Sequence, residues 1–323
     1  EYNKGDNIFN RAISGVYAPG STFKMITAIA GLETGVITPT EKINDIGVYK
    51  KAHEPACWIW NSYGMSHGWL NVTEAITHSC NYFFYEVGYR ATIDNIAKYA
   101  KYYGLGEKTN VELPMEEKGI VATRDKAKER GDEWQIGETL SAAIGQSYNS
   151  YTPIQMAKYI SMLANGGEPI DVTIVKSIND VNGNQVSKED ITKFVNAKLG
   201  LTKEKKENLN IKKENIDAIL KGMKGVTSEE GGTAYSTFAN FNIELGGKTG
   251  SAQTDVQGKI NGWFVGFAPY EEPEIAVVVL VENAGSGSYT AEVARDILQE
   301  YFGMNMEKVE EDLTAMPSTE IQN

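Results

Sequence analysis

Cysteine and histidine are nearly absent from this 323-residue chain, at two and three respectively. Two cysteines allow one disulfide at most, and all five of these residues fall between His53 and Cys80, a crowding that random scatter would seldom produce. Proline is scarce at 9, and the 32 glycines follow no repeat, which excludes a collagen-like or low-complexity chain. Cationic side chains are in deficit, 31 Lys plus Arg against 43 Asp plus Glu, so nucleic acid and anionic membrane surfaces are not the expected partners. Long apolar runs are missing too. The longest aliphatic stretch, Ile275 to Val281, is far below the ~20 residues that span a bilayer, and no signal peptide opens the chain. Apolar residues make up 41% of the chain, ample for a buried core.

Periodicity and punctuation place the elements coarsely. Ser21 to Thr34 predicts a helix with Phe23, Ile26, Thr27 and Ala30 inward and Gly35 as its stop. Residues 36 to 70 lack steady periodicity and read as loops. Asn71-Val72-Thr73-Glu74 caps a short helix that breaks at Ser79 and resumes from Tyr82 to Tyr89, and Asp94 to Tyr103 is helical. Residues 107 to 134 are charged and irregular. Thr152-Pro153 opens a helix with Ile154, Ala157, Ile160, Ser161 and Ala164 at helical spacing. Val172 to Val186 predicts a hairpin around Asn182-Gly183, and Ser187 to Asn215 a solvated excursion. A helix from Ile216 to Val226 precedes strands at 244–253, 262–268 and 275–282 and a last helix over 290–302. The expected fold is α+β: one composite unit over 1–305, with a late antiparallel sheet flanked by helices, an all-helical lobe and a cleft between them. Residues 306–323 are expected to form a polar tail.

Three short strings carry chemistry. Lys24 stands three residues after Ser21, so both project from one helical face, and the lysine can take the serine's proton once burial or a second cation lowers its pKa. Lys248 is the candidate second cation. Ser79 and Asn81 lie in the break between two helical pieces, where Ser79 can relay a proton to a leaving amine and Asn81 can hold Lys24 and a substrate amide. Gly246-Gly247-Lys248-Thr249-Gly250-Ser251 sits inside an apparent strand, where glycines cost packing unless another backbone must come close. A peptide laid beside that strand would account for them, with Thr249, Gly250 and Ser251 binding it and Lys248 and Thr249 at its carboxylate. The Ser21 and Ser251 N–H groups would then form an oxyanion hole. The plainer readings are a helix-cap serine at 21, ordinary capping of the Tyr82 helix by Ser79, and a bulge at Lys248.

Together the motifs resemble those of the penicillin-binding proteins and serine β-lactamases, and more narrowly the transpeptidase domain of an elongation-type class B penicillin-binding protein. The resemblance covers residues 10 to 303. It rests on Ala12 to Lys24, Ser79-Cys80-Asn81, Gly145-Gln146, Thr152 to Ala157, Gly232-Thr233-Ala234, Lys248-Thr249-Gly250 and Gly262 to Phe267. Cys80 inside the second motif and Ser147 after Gly145-Gln146 are departures. The resemblance implies a peptidoglycan D,D-transpeptidase fold and activity, with Ser21 attacking D-Ala-D-Ala stem peptides and β-lactams acylating it as mimics. It also implies a membrane glycosyltransferase partner and a place on the outer face of the cytoplasmic membrane, anchored by a segment upstream of Glu1. A D,D-carboxypeptidase, a β-lactamase and a non-enzymatic β-lactam sensor are the rivals. No Glu-x-x-x-Asn element of the sort that places a deacylating water is evident between Ser79 and Lys248.

The cysteines and histidines suit a Cys57–Cys80 disulfide, unlinked thiols with incidental histidines, or a metal, since Cys57, His67 and Cys80 are three ligands of the kind zinc prefers. Some elongation-type relatives are similar here. Mapped position by position, their pattern implies a structural zinc on Asp45, Cys57, His67 and Cys80. His53 and His78 are the alternatives to Asp45.

Overall fold

The computed structural model describes residues 9–200, 208–254 and 256–304. The polar tail predicted for 306–323 lies outside the described residues. The helices are α1 (Arg11–Ser14), α2 (Lys24–Glu33), α3 (Trp58–Tyr63), α4 (Val72–Thr77), α5 (Asn81–Tyr102), α6 (Arg124–Glu129), α7 (Ile136–Ala143), α8 (Pro153–Ala164), α9 (Lys188–Leu199), α10 (Lys213–Ser228), α11 (Tyr235–Phe238) and α12 (Ser288–Tyr301). A 3-10 turn over Gly20–Phe23 leads straight into α2. Strands β3 (Gly246–Gln253), β4 (Ile260–Ala268) and β5 (Ile275–Val281) form one antiparallel sheet in the order β3-β4-β5, and β1 (Ile43–Asp45) pairs antiparallel with β2 (Gly68–Leu70). The α+β expectation with an antiparallel sheet holds.

Helix α2 differs from the one-sided helix the spacing suggests. Every residue from Lys24 to Leu32 is buried, because α5, α10 and α4 enclose the helix on several sides. Its sequence is almost wholly apolar, so nothing in it resists that enclosure, and Lys24 is the one charge carried inside. Helix α8 begins at the predicted Thr152 cap, whose side chain accepts from Gln155 N–H. Its inward face is Gln155, Met156, Tyr159, Ile160, Met162 and Leu163, however, which keeps Ile160 of the predicted stripe but is rotated away from Ile154, Ala157, Ser161 and Ala164. The buried Gln155 misled the reading; its amide earns its place by donating to the main-chain oxygens of Glu107, Glu117 and Lys118.

Three further expectations are corrected. Residues 36 to 70 contain α3 and the short β1–β2 ladder instead of loops alone, elements too brief for periodicity to register. The 172–186 hairpin reduces to one bridge, Asn179 to Gln185, closed by Asp180 N–H to Asn184 O. Within Ser187 to Asn215, α9 is a capped but exposed helix. Helix α7, which passes unmarked in the sequence, packs on α5 and receives the Thr27 hydroxyl at Ala143 O, 2.7 Å.

Candidate functional site

The turn bearing Ser21 is pinned before it begins. Tyr17 and Tyr151 exchange main-chain hydrogen bonds of 2.9 Å, and Trp263 on β4 donates to Ala18 O at 2.9 Å. Gly20 has φ +54, and a Cβ there would stand 2.7 Å from Ser251 O, so only glycine lets the turn approach β3. On the other side Gly20 N–H donates to Gly145 O at 3.0 Å. The cap of the turn is Pro19, with no side-chain bond, so Ser21 is not spent as a helix cap. Three residues per 3-10 turn stack Ser21 above Lys24.

Ser79 owes its place to a helix ending. Helix α4 starts in a capping box, with Asn71 accepting from Glu74 N–H and the Glu74 carboxylate accepting from Asn71 N–H. It stops at His78 in a Schellman motif: Ser79 N–H donates to Ile76 O at 3.1 Å and Cys80 N–H to Ala75 O at 2.9 Å. Ser79 occupies the left-handed position at φ 53, where glycine is usual. Holding a serine there costs about 1 kcal/mol, a strain of the kind that clusters at active sites. The cap of α5 is Cys80, whose Sγ accepts from Phe83 N–H at 3.4 Å, which removes the capping explanation for Ser79.

Lys24 joins these pieces. Its Nζ donates to Ser79 O at 2.7 Å, Ser79 Oγ at 3.1 Å and Asn81 Oδ1 at 2.6 Å. Burial pushes its pKa down from 10.5 to about 8, against a smaller upward pull from Cys57 and Cys80. Burial, not Lys248, is therefore the main cause; the repulsion between the two lysines is felt by Lys248, which burial first and Lys24 second hold well below the usual range. Lys248 is fully buried and donates to Thr249 O at 3.1 Å.

A cavity of about 620 Å³ opens over this assembly. Ser21, Ser79 and Asn81 line it together with Thr249, Ser251 and Gln253, the alternate residues of edge strand β3. Ser21 Oγ makes no hydrogen bond among the described residues; in unliganded sites such contacts are often loose. A larger cavity of about 780 Å³, between residues 171–176 and α9, is lined by none of the motif residues.

Gly250 is not in the cavity wall. A Cβ there would meet Pro19 O and Thr22 Cγ2 at 2.9 Å, and Cβ atoms on Gly246 and Gly247 would strike Phe267 and Phe264 at 2.5 and 2.7 Å. The glycines of β3 thus answer the protein's own packing, where the sequence suggested a substrate backbone. Sequence reasoning also missed Trp58, Tyr85, Ser141 and Gln146 in the lining. Of these only Gln146, in the Gly145-Gln146 string, carried a signal. Ser147 beside it takes φ 61, with its hydroxyl bonded to Glu138.

Asp45, Cys57, His67 and Cys80 converge so that one donor atom from each lies within 4.8 Å of all the others. His67 Nδ1 is 2.8 Å from Asp45 Oδ2 and 3.6 Å from Cys57 Sγ; Cys80 Sγ is 3.4 Å from Asp45 Oδ2. The thiols are 3.9 Å apart and unbonded, against about 2.05 Å in a disulfide. Burial alone would raise the Asp45 pKa, but bonds from His67, Gly47 N–H and Cys80 bring it down to about 2. Burial likewise opposes protonation of His67, and Asp45 and Cys57 overcome it, lifting it to about 9. Two sulfurs, one imidazole nitrogen and one carboxylate oxygen match the ligand types of a tetrahedral zinc, whose neighbouring ligands stand about 3.3–3.8 Å apart. The other histidines contribute no donor to the cluster: His78 stacks on His67 with ring centroids 6.0 Å apart but turns Nδ1 to Gly231 O, 3.1 Å away, and exposed His53 packs on Gly137.

Known proteins resemble this chain in sequence and fold. Peptidoglycan D,D-transpeptidase MrdA of Haemophilus influenzae is 30% identical over 320 residues, which cover 94% of this chain and 47% of that protein. The chain thus spans about half the length of the curated relatives it matches. The crystal structure of Pseudomonas aeruginosa PBP2 in complex with WCK 5153 aligns with a TM-score of 0.78 and 32% identity over 91% of this chain and 63% of that one. Helicobacter pylori PBP2, in its complex with MreC, aligns at 0.75 and 28% identity over 93% of this chain and 52% of that one. The family model of the penicillin binding protein transpeptidase domain matches residues 1–299, and the chain belongs to that family, as a transpeptidase domain of a class B penicillin-binding protein of the MrdA/PBP2 type.

Proposed function

We propose that this domain is a peptidoglycan D,D-transpeptidase acting on the D-Ala-D-Ala end of a stem peptide. The observation that carries the reading is the Lys24 ammonium shared between Ser79 and Asn81 at the floor of a cavity walled by Ser21, Thr249 and Ser251. Neutral Lys24 takes the Ser21 proton as Oγ attacks the penultimate carbonyl. The tetrahedral oxyanion is met by the Ser21 and Ser251 N–H groups. The C–N bond then breaks, and D-alanine leaves with a proton relayed through Ser79. An amine from a second stem peptide attacks the Ser21 ester, the new amide forms, and the serine hydroxyl is restored. Asn81 positions Lys24 and the substrate amide, while Thr249 receives the terminal carboxylate, with buried Lys248 held behind it on Thr249 O.

The cluster of Asp45, Cys57, His67 and Cys80 suits a structural zinc. When bound, the ion would tie the 45–70 segment to the turn carrying Ser79; no step of the reaction passes through it. β-Lactams are the expected inhibitors. A place on the outer face of the cytoplasmic membrane and a membrane glycosyltransferase partner complete the reading, supported by the MrdA-type relatives.

Intact-mass spectrometry after penicillin exposure tests it. Wild type should gain one adduct that Ser21→Ala lacks, and a stem peptide with an added amine should yield the cross-linked product. An adduct that persists in Ser21→Ala would remove the nucleophile from the scheme.

A further inference from the structure

Gly232-Thr233-Ala234 plays no part in the chemistry just described, yet Thr233 stands in the cavity wall with its Oγ1 2.7 Å from Thr249 Oγ1. The loop beneath it is held from several directions. Gly232 N–H donates to Glu229 O at 2.9 Å and Ala234 N–H to Val226 O at 3.0 Å. A Cβ on Gly232 would lie 2.4 Å from Gly225 O, so the loop lies flush against the end of α10. From the other side His78, the residue before Ser79, donates to Gly231 O at 3.1 Å. The Thr233 hydroxyl therefore has a fixed address relative to both α10 and the Ser79 turn.

A bond between two hydroxyls uses one proton and leaves the other free. If Thr249 donates to Thr233, it turns a lone pair towards the cavity and repels an anion. If Thr233 donates, Thr249 keeps its proton for the cavity, where an ionised carboxylate can only accept. Thr249 has no other side-chain hydrogen bond among the described residues, and its main chain is held separately by Lys248 Nζ on Thr249 O. Its rotor is thus governed by Thr233.

We propose that Thr233 is a positioning residue that donates to Thr249 Oγ1 and so presents the Thr249 hydroxyl as a donor to the substrate's carboxylate. The proposal rests on the transpeptidase reading and deepens it, since it assigns the carboxylate subsite a residue that lies outside the three motifs.

Pre-steady-state acylation by benzylpenicillin and by its neutral methyl ester separates the alternatives. For the acid, Thr233→Val should lower k2/K by roughly three- to tenfold, the worth of one ordinary hydrogen bond, with the loss in the pre-acylation binding constant and little change in k2. Thr233→Ser should stay within about twofold of wild type, because it keeps the donor. The ester should not distinguish the variants, and Thr233→Val should add nothing in a Thr249→Val background. Equal losses for acid and ester, additive losses in the double variant, or a wild-type rate in Thr233→Val would each overturn the proposal while leaving the enzyme's reaction intact. A wild-type protein that takes no adduct from either compound would instead overturn the transpeptidase reading, and the proposal with it. Should Thr233→Val melt early, Thr233→Ala against Thr233→Ser gives the same comparison.

Discussion

Lys24 carries the residue-scale consequence. A pKa near 8 leaves about one tenth of the amine neutral at pH 7 and half of it near pH 8. If the neutral amine is the base, acylation of Ser21 by penicillin should rise with pH from 6 through a midpoint near 8 and level off above about 9; a flat profile over pH 6–9 would exclude Lys24 from that role. Stability is linked with a definite sign. The unfolded lysine, at 10.5, binds more protons than the folded one, at about 8, so the Lys24 contribution grows as pH rises through that window and is lost as pH falls through about 8. The full shift corresponds to roughly 3 kcal/mol, more than one hydrogen bond returns. Three acceptors on one ammonium are thus not enough to hold its proton affinity at the usual level. The Ser21–Lys24 and Ser79–Asn81 pairs were legible in the sequence because their spacing is local. The role of burial over Lys248 was not, since it depends on what α4, α5 and α10 place around α2.

At the scale of elements, the Asp45 to Cys80 cluster joins β1, the start of α3, the residue before β2 and the cap of α5. The outer side of that region is exposed at Trp60, Tyr63, Met65 and Trp69, while Ile43, Cys57, Leu70 and Cys80 join the main core. A tetrahedral ion there would tie these short elements to one another. Treatment with a strong chelator should therefore lower Tm by roughly 5–10 °C, about 2–3 kcal/mol in a domain of this size, and slow penicillin acylation in parallel. Unchanged Tm and acylation, with metal analysis finding no bound zinc, would end the zinc proposal. Cys57, His67 and Cys80 could be picked out in the sequence by residue type, and Asp45 only through family resemblance. Their convergence needed the β1–β2 ladder to bring Asp45 beside His67. Helix α7 and the rotated face of α8 escaped the sequence for a related reason: a buried Gln155 and small residues such as Ala142 and Ala143 carry no strong hydropathy signal.

Across the whole molecule the stability is unevenly shared. Phe23 is fully buried and stacks on Tyr151 with ring centroids 5.9 Å apart, at the junction of the 3-10 turn, α8 and the sheet. Phe194, on α9, is 61% exposed. Phe23→Ala should cost about 3–5 kcal/mol, whereas Phe194→Ser should shift stability by no more than about 0.5 kcal/mol. Chemical denaturation of both variants checks the contrast, and comparable losses would place α9 within the cooperative core.

By itself the sequence singled out the candidate nucleophile, base and relay pair and the strand beside them, because each is a short pattern whose geometry comes from one turn of helix or one stretch of strand. Tertiary structure alone decided which glycines serve packing, that burial tunes both lysines, and that Thr233 meets Thr249. Those outcomes come from the close approach of main chains remote in sequence, at distances that no local periodicity encodes.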